Sequence, residues 1–478
     1  MPNSVFISDD FLLENRVASR LYHDVARELP LYDYHSHLPV GEIAANRPFE
    51  HATGLWLAGD HMKWRAMRTH GITEARITGA ASAKDKFQAW CETVPYTLGN
   101  PLYHWSHMEL KRLFGIDQLI CGERAPQLWD AINEQLPLPE KSPIGLLGGL
   151  NVALVGTTDD PLSPLTDHHV LRDRELSFTV EPTFRADRLY KVDLPDFADY
   201  LTRLALVTAT EIATLEQYWH AILLRLDHFS AAGCHMADHG MEHVSWQVMS
   251  EKALSAAFVR LCQGRPLTVE ETEGLRTELQ LRLAREYQRR GWVMQLHLGV
   301  LINGNQRQFN TLGANCGFDC IDDRPLIRPL LRLLGQLEAE QALPKTILYG
   351  LNPANQPLLA ALTGVFQDGS VAGKIQLGAA WWFNDQQDGI EHHLRQVANI
   401  GLLSHFVGMV TDSRSFMSGT RHEYFRRILC NQVGRWVAQG VWPDERSLHE
   451  RFIRDLCFEN AVRYFSSTET STVRGTSI

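Results

Sequence analysis

The sequence predicts an α/β chain built as a (β/α)8 TIM-like barrel, with a helical insertion after the first strand and a further helical excursion in mid-chain. Three observations carry that prediction. Short apolar runs with strand composition alternate with helical periodicity about seven or eight times. Each run feeds a polar loop, and the histidines, arginines and acids with chemical potential stand at those strand ends. Between the first two runs lies a long stretch rich in Trp, His, Arg and Met in which strand alternation is scarce. The chain therefore divides into residues 1–43 (N-terminal helix and first strand), 44–149 (mostly helical insertion), 150–465 (the rest of the barrel, with a helical excursion over 194–290) and 466–478 (a polar Ser/Thr-rich tail).

The first element reads as an amphipathic helix from Asp10 to Glu28, with Leu12, Val17, Leu21, Val25 and Leu29 at near-helical spacing and Pro30 ending it. The first strand follows as Leu31-Tyr32-Asp33-Tyr34-His35-Ser36-His37, stopped by Pro39. His35 and His37 are two apart, so on a strand both imidazoles point to one face, an arrangement suited to a divalent metal such as Zn²⁺. In the insertion, Gly59-Asp60-His61-Met62-Lys63-Trp64-Arg65-Ala66-Met67-Arg68 reads as an amphipathic helix with a solvated basic face. His104 and His107 read as packed helix surface.

Leu150 to Val155 reads as a buried parallel strand running into Thr157-Thr158-Asp159-Asp160-Pro161, and Leu176 to Phe184 as the next, with Arg185 just past its end. Asp167-His168-His169 between them reads as a surface loop. His235, His239 and His243 follow i, i+4, i+8 and fit one helix face, but the HExxH glutamate is missing and Gly240 interrupts the run. Asp238 reads equally well as a strand-end acid facing the barrel centre. Later strands are Gly291–Gly299, which delivers His297 before a loop containing Asn303-Gly304-Asn305, then Lys345–Pro353, Lys374–Asp385 with Trp381 and Trp382, and His405–Arg414, which ends in Asp412-Ser413-Arg414. Arg421 to Gly440 reads as a helix. On this layout His35, His37, Arg185, His297, Trp381, Asp412 and Arg414 converge.

The formal net charge of −10 and the absence of a basic stripe argue against nucleic acid as a partner. No apolar run approaches the ~20 residues of a membrane span. Eight cysteines without CxxC spacing, behind an N-terminus with no secretory pattern, read as reduced thiols of a cytoplasmic protein.

His35-Ser36-His37 together with late-strand Asp412 resembles the amidohydrolase superfamily. From about Phe11 to Phe465 the whole chain is similar to the uronate isomerases that act on glucuronate and galacturonate. The matching runs include Arg20-Leu21-Tyr22-His23-Asp24, Gly59-Asp60-His61, Gly99-Asn100-Pro101-Leu102-Tyr103-His104-Trp105, Trp381-Trp382-Phe383-Asn384-Asp385-Gln386, Thr411-Asp412-Ser413-Arg414-Ser415-Phe416 and Thr420-Arg421-His422-Glu423-Tyr424-Phe425. The resemblance implies isomerisation of D-glucuronate to D-fructuronate and of D-galacturonate to D-tagaturonate, a small-molecule hexuronate as the partner, and a homo-oligomer. It implies a divalent metal, zinc first, on His35, His37 and Asp412. Proton transfer through an enediol then needs a base and a polarised carbonyl. Asp412, Arg414, His61 and His297 are the candidate catalytic groups, and Arg185, Asp238, Trp381, Trp382 and Arg414 the candidate substrate contacts. Two departures stand out: Met62 replaces a tyrosine of the family pattern, and Ile302 replaces an arginine. The competing readings are a metal-dependent hydrolase of the superfamily, disfavoured because no lysine stands at a convincing strand end, and a sugar-acid binder without turnover.

Overall fold

The computed structural model describes residues 6–466. All of the expected tail except Ser466 lies outside the described residues. Ten strands are present among the described residues: β1 Leu31–Asp33, β2 Val152–Gly156, β3 Thr179–Glu181, β4 Phe184–Arg185, β5 Met236–Met241, β6 Val293–Leu298, β7 Val300–Leu301, β8 Cys320–Ile321, β9 Thr346–Gly350 and β10 Ile375–Leu377. β1, β2 and β3 form one parallel sheet, and β10-β9-β6-β5-β4 form another. A parallel bridge between Asp159 and Phe184 joins the two. All residues of β6, β9 and β10 are buried, which is why these strands read as continuous apolar runs.

The wall closes where the segment before Asp412 returns to β1. The Asp412 amide donates to the His35 carbonyl at 3.1 Å, and the His37 amide to the Ser413 carbonyl at 2.9 Å. The Tyr34 hydroxyl reaches the Gly408 carbonyl at 3.1 Å. The strand expected over 405–414 is irregular here. Leu403–His405 is a helical turn, and Gly408 and Asp412 take left-handed φ values of 92° and 46° that no ladder accommodates.

Other expectations need correction. The first helix starts at Arg16, capped by Asn15, because Leu12 at φ 63° cannot sit in a right-handed helix. The run 176–185 is two strands, split at Pro182, which has no amide to donate to a ladder. His168 lies on the helix Thr166–Arg172 and is buried against the Thr157 hydroxyl at 2.8 Å, so it is no surface loop residue. The stretch 194–290 is helical except at its centre, where β5 carries Asp238 and His239 into the sheet.

Residues 44–149 carry helices and turns and no strand, and the helix His61–Thr69 brings its N-terminus to the cavity at the carboxyl ends of the strands. The long helix Thr420–Ala438 ties the chain ends together. Its buried Arg426 donates to the carbonyls of Ala26 at 3.0 Å, Leu29 at 2.7 Å and Pro30 at 2.7 Å, groups left over where the first helix ends. No helix among the described residues is long and apolar enough to cross a membrane.

Candidate active site

At the carboxyl ends of the strands lies a cavity of about 910 Å³. His35, His37, His61, Arg185, His297, Trp381, Trp382, Asp412 and Arg414 all line it. β7, the turn after it and the helix Gln306–Leu312 form one wall through Val300, Ile302, Asn303 and Phe309.

The densest constellation joins the first strand to the closing segment. His35 Nε2 and His37 Nε2 each lie 3.0 Å from the same Asp412 oxygen, Oδ1. The other oxygen, Oδ2, accepts from Trp381 Nε1 at 2.5 Å. Burial pushes the His37 imidazole down to about 4, and the Asp412 charge only partly offsets this. His35 is raised instead: burial opposes its charge, but Asp238 and Asp412 together outweigh burial. Burial likewise opposes the Asp412 charge, and the hydrogen bonds from His35 and His37 overcome it, holding the carboxyl well below the usual carboxylate range. Two imidazole nitrogens and a carboxylate oxygen converging beside an open cavity are the donor set of a mononuclear divalent-metal site with a free position. A second group, His35, Asp238 and His297, also brings three donors together. It suits a cation less, because the Arg185 guanidinium already lies 2.6 Å from Asp238 Oδ2 and its charge would repel a metal ion.

His297 is held from two sides. Its Nδ1 lies 2.7 Å from Asp238 Oδ1, and its ring stacks on Tyr349 at 4.2 Å with an angle of 2°. Its Nε2 is buried without a partner among the described residues. Asp238 Oδ2 accepts from Arg185 Nη1 at 2.6 Å, and Arg185 Nε donates to Asp187 at 3.1 Å. Asp238 was expected against substrate, but it has no exposed surface and is not part of the cavity wall; it positions His297 and Arg185 instead.

Every other guanidinium or ammonium group on the wall faces a carboxylate: Arg185 faces Asp238 and Asp187, Arg188 faces Asp196, Lys191 faces Asp187, Arg276 faces Asp193, and Arg421 faces Asp385. Among the described residues Arg414 has no such partner. It packs beside Gly59, whose φ of 73° turns the chain toward Asp60 and His61. Asp60 caps the helix by accepting from the amides of Met62 and Lys63 at 3.1 and 3.0 Å. Burial, then the Arg414 charge, lowers the His61 pKa and keeps that imidazole neutral. The expected solvated basic face is corrected at Lys63. Its ammonium is buried between the Trp56 carbonyl at 3.0 Å, Asp60 at 3.2 Å and Glu109 at 3.3 Å.

His235, His239 and His243 have separate partners, Glu181, Tyr287 and Glu273, each at 3.1 Å, and share no centre. Sequence reasoning missed Asp187, Tyr349 and Asp33. Asp33 carried a signal, since period two puts it on the face of His35 and His37. Tyr349 carried none.

Comparison with known proteins follows the same line. Residues 3–465 match the family model described as glucuronate isomerase. The uronate isomerase of Mannheimia succiniciproducens is 48% identical over 463 residues, covering 96% of this chain and 99% of the relative. That of Vibrio vulnificus is also 48% identical, covering 96% and 98%. Among solved structures, the uronate isomerase of Thermotoga maritima superposes with a TM-score of 0.92 at 32% identity over 97% of this chain and 100% of that one. The glucuronate isomerase of Caulobacter crescentus gives 0.89 at 25% identity, covering 96% and 97%.

Proposed function

From the premise that this chain belongs to the glucuronate isomerase family and is an aldose–ketose isomerase of uronates, we propose that it converts D-glucuronate to D-fructuronate and D-galacturonate to D-tagaturonate at the cavity bounded by His35, His37, Asp412 and Arg414. The observation that carries the site assignment is the division of the Asp412 carboxylate, with Oδ1 on the two imidazoles and Oδ2 on Trp381, beside an arginine with no carboxylate of its own.

The reaction moves one hydrogen from C2 to C1 and one from O2 to O1. The C2 proton is weakly acidic, so the C1 carbonyl must be polarised and a base must lie within hydrogen-bond reach. A divalent cation on His35, His37 and Asp412, zinc first, would supply Lewis-acid polarisation when bound. Arg414 faces the same region and offsets the negative charge that develops on the enediolate oxygens. Asp412 takes the C2 proton and returns it at C1. His61, neutral and on the wall, moves the second proton between O2 and O1. His297 is the alternative carrier, with Nε2 lacking a protein partner. Arg185 meets the substrate carboxylate with the guanidinium edge that Asp238 and Asp187 leave free. Trp381 and Trp382 form the aromatic wall.

Proton NMR of D-glucuronate and D-galacturonate, each incubated with the protein with and without chelator, tests this reading. Ketouronate signals that disappear with chelator and with Asp412→Asn are expected. Turnover unaffected by Asp412→Asn would overturn the site assignment.

A further inference from the structure

Asp412 is one of the few non-glycine residues with left-handed backbone, at φ 46°. Such a conformation is strained for a side chain with a Cβ and persists only where the surroundings fix it. The residue before it is held at each of its polar groups. The Thr411 amide donates to Asp33 Oδ1 at 2.8 Å. The Thr411 hydroxyl donates to Asp33 Oδ2 at 2.5 Å. The Thr411 carbonyl accepts from Arg421 Nη1 at 3.1 Å. Thr411, Asp33 and Arg421 are all buried. The anion comes from β1 and the cation from the helix Thr420–Ala438, so two separate elements hold one residue. Neither Asp33 nor Thr411 is part of the cavity wall.

We propose that Asp33 and Arg421 act as positioning residues that lock Thr411 and thereby aim the Asp412 carboxylate at the two imidazoles. The grip sits in the first and last parts of the barrel wall, where the ladder is irregular and, among the described residues, two backbone hydrogen bonds hold Asp412 and Ser413 to the segment after β1. A rotation about Thr411 would swing Asp412 Oδ1 away from His35 and His37 together. Misplacement of a reacting group by about 1 Å typically costs 10²-fold in rate. This inference rests on Asp412 being the reacting carboxylate.

The test compares Thr411→Val with Thr411→Ser. Valine keeps the shape and the amide donor but deletes the hydroxyl; serine restores it. The expected result is a kcat lowered by about tenfold or more in Thr411→Val with KM within about twofold, and recovery in Thr411→Ser. Affinity for Zn²⁺, read by competition with a chromophoric chelator, falls in parallel in Thr411→Val and recovers in Thr411→Ser. An unchanged kcat in Thr411→Val, or equal losses in both variants, would overturn the proposal. So would a loss that tracks the melting temperature while Zn²⁺ affinity stays constant. If Thr411→Val does not fold, Thr411→Ala takes its place, with the same kcat and Zn²⁺ losses expected. Asp412→Asn runs alongside: if it retains full turnover, the reading of Asp412 fails, whereas an inactive Asp412→Asn beside a fully active Thr411→Val sinks only the grip.

Discussion

Replacing Trp381 by Phe deletes a single donor at the site. Trp381 is 7% exposed, and its Nε1 gives the only hydrogen bond to Asp412 Oδ2 among the described residues, at 2.5 Å. Its ring also meets His297 edge-on at 4.7 Å, and a phenyl ring keeps much of that contact. The loss is therefore mainly one hydrogen bond to a charged group, about 1.5–3 kcal/mol. If that bond holds the carboxylate in its reactive orientation, the whole amount appears in the transition state. At about 1.36 kcal/mol per tenfold, kcat/KM falls roughly 10- to 150-fold. The assay is the initial rate of ketouronate formation by proton NMR, with urea unfolding to confirm that stability drops by no more than about 2 kcal/mol. Trp292→Phe is the control, since Trp292 is a buried indole that stacks on Tyr287 at 5.9 Å and is not part of the cavity wall. A Trp381→Phe protein within twofold of the parent kcat/KM would refute the idea that the indole orients Asp412.

The two cavity arginines are expected to separate kinetically. Arg414→Met should lower kcat by about tenfold or more, whereas Arg185→Met should mainly raise KM; the reverse pattern in steady-state kinetics would exchange their roles. Acid stability offers a test away from the site. Burial pushes the His393 imidazole down to about 4, opposed in part by its bond to the Gly378 carbonyl. The unfolded chain takes up that proton near 6.5 while the folded chain does not, so His393 costs stability as pH falls from 6.5 toward 4, by about 3 kcal/mol in full. Urea midpoints of His393→Asn and parent compared at pH 7 and pH 5 should show a smaller acid loss in the variant, and identical pH slopes would rule this out.

How much of this was visible in the sequence varied by element, for physical reasons. β6 and β9 were legible because strands buried on both faces leave unbroken apolar runs. The His35–His37 pair was legible because period two is a local property. β5 was not, since Met236-Ala237-Asp238-His239-Gly240-Met241 has poor strand composition and is held by its neighbours. Its histidine spacing of four is a multiple of two as well as near one helical turn, so periodicity alone could not separate strand from helix. Lys63 looked solvated because its partners, Trp56 and Glu109, come from other helices. The left-handed backbone of Asp412 has no local signature at all, because the contacts that surround it come from β1 and the helix Thr420–Ala438.

The bond between His35 and Asp412 spans 377 positions of sequence. On a ribosome adding about 5–20 residues per second, the two histidines emerge some 20–75 seconds before the carboxylate that completes their site. During that interval the nascent chain presents an exposed imidazole pair with no carboxylate to choose among cations for it. On the proposed metal assignment, loading is a late event, coupled to the arrival of the final barrel wall, and the metal content of a preparation would report how many chains finished closing.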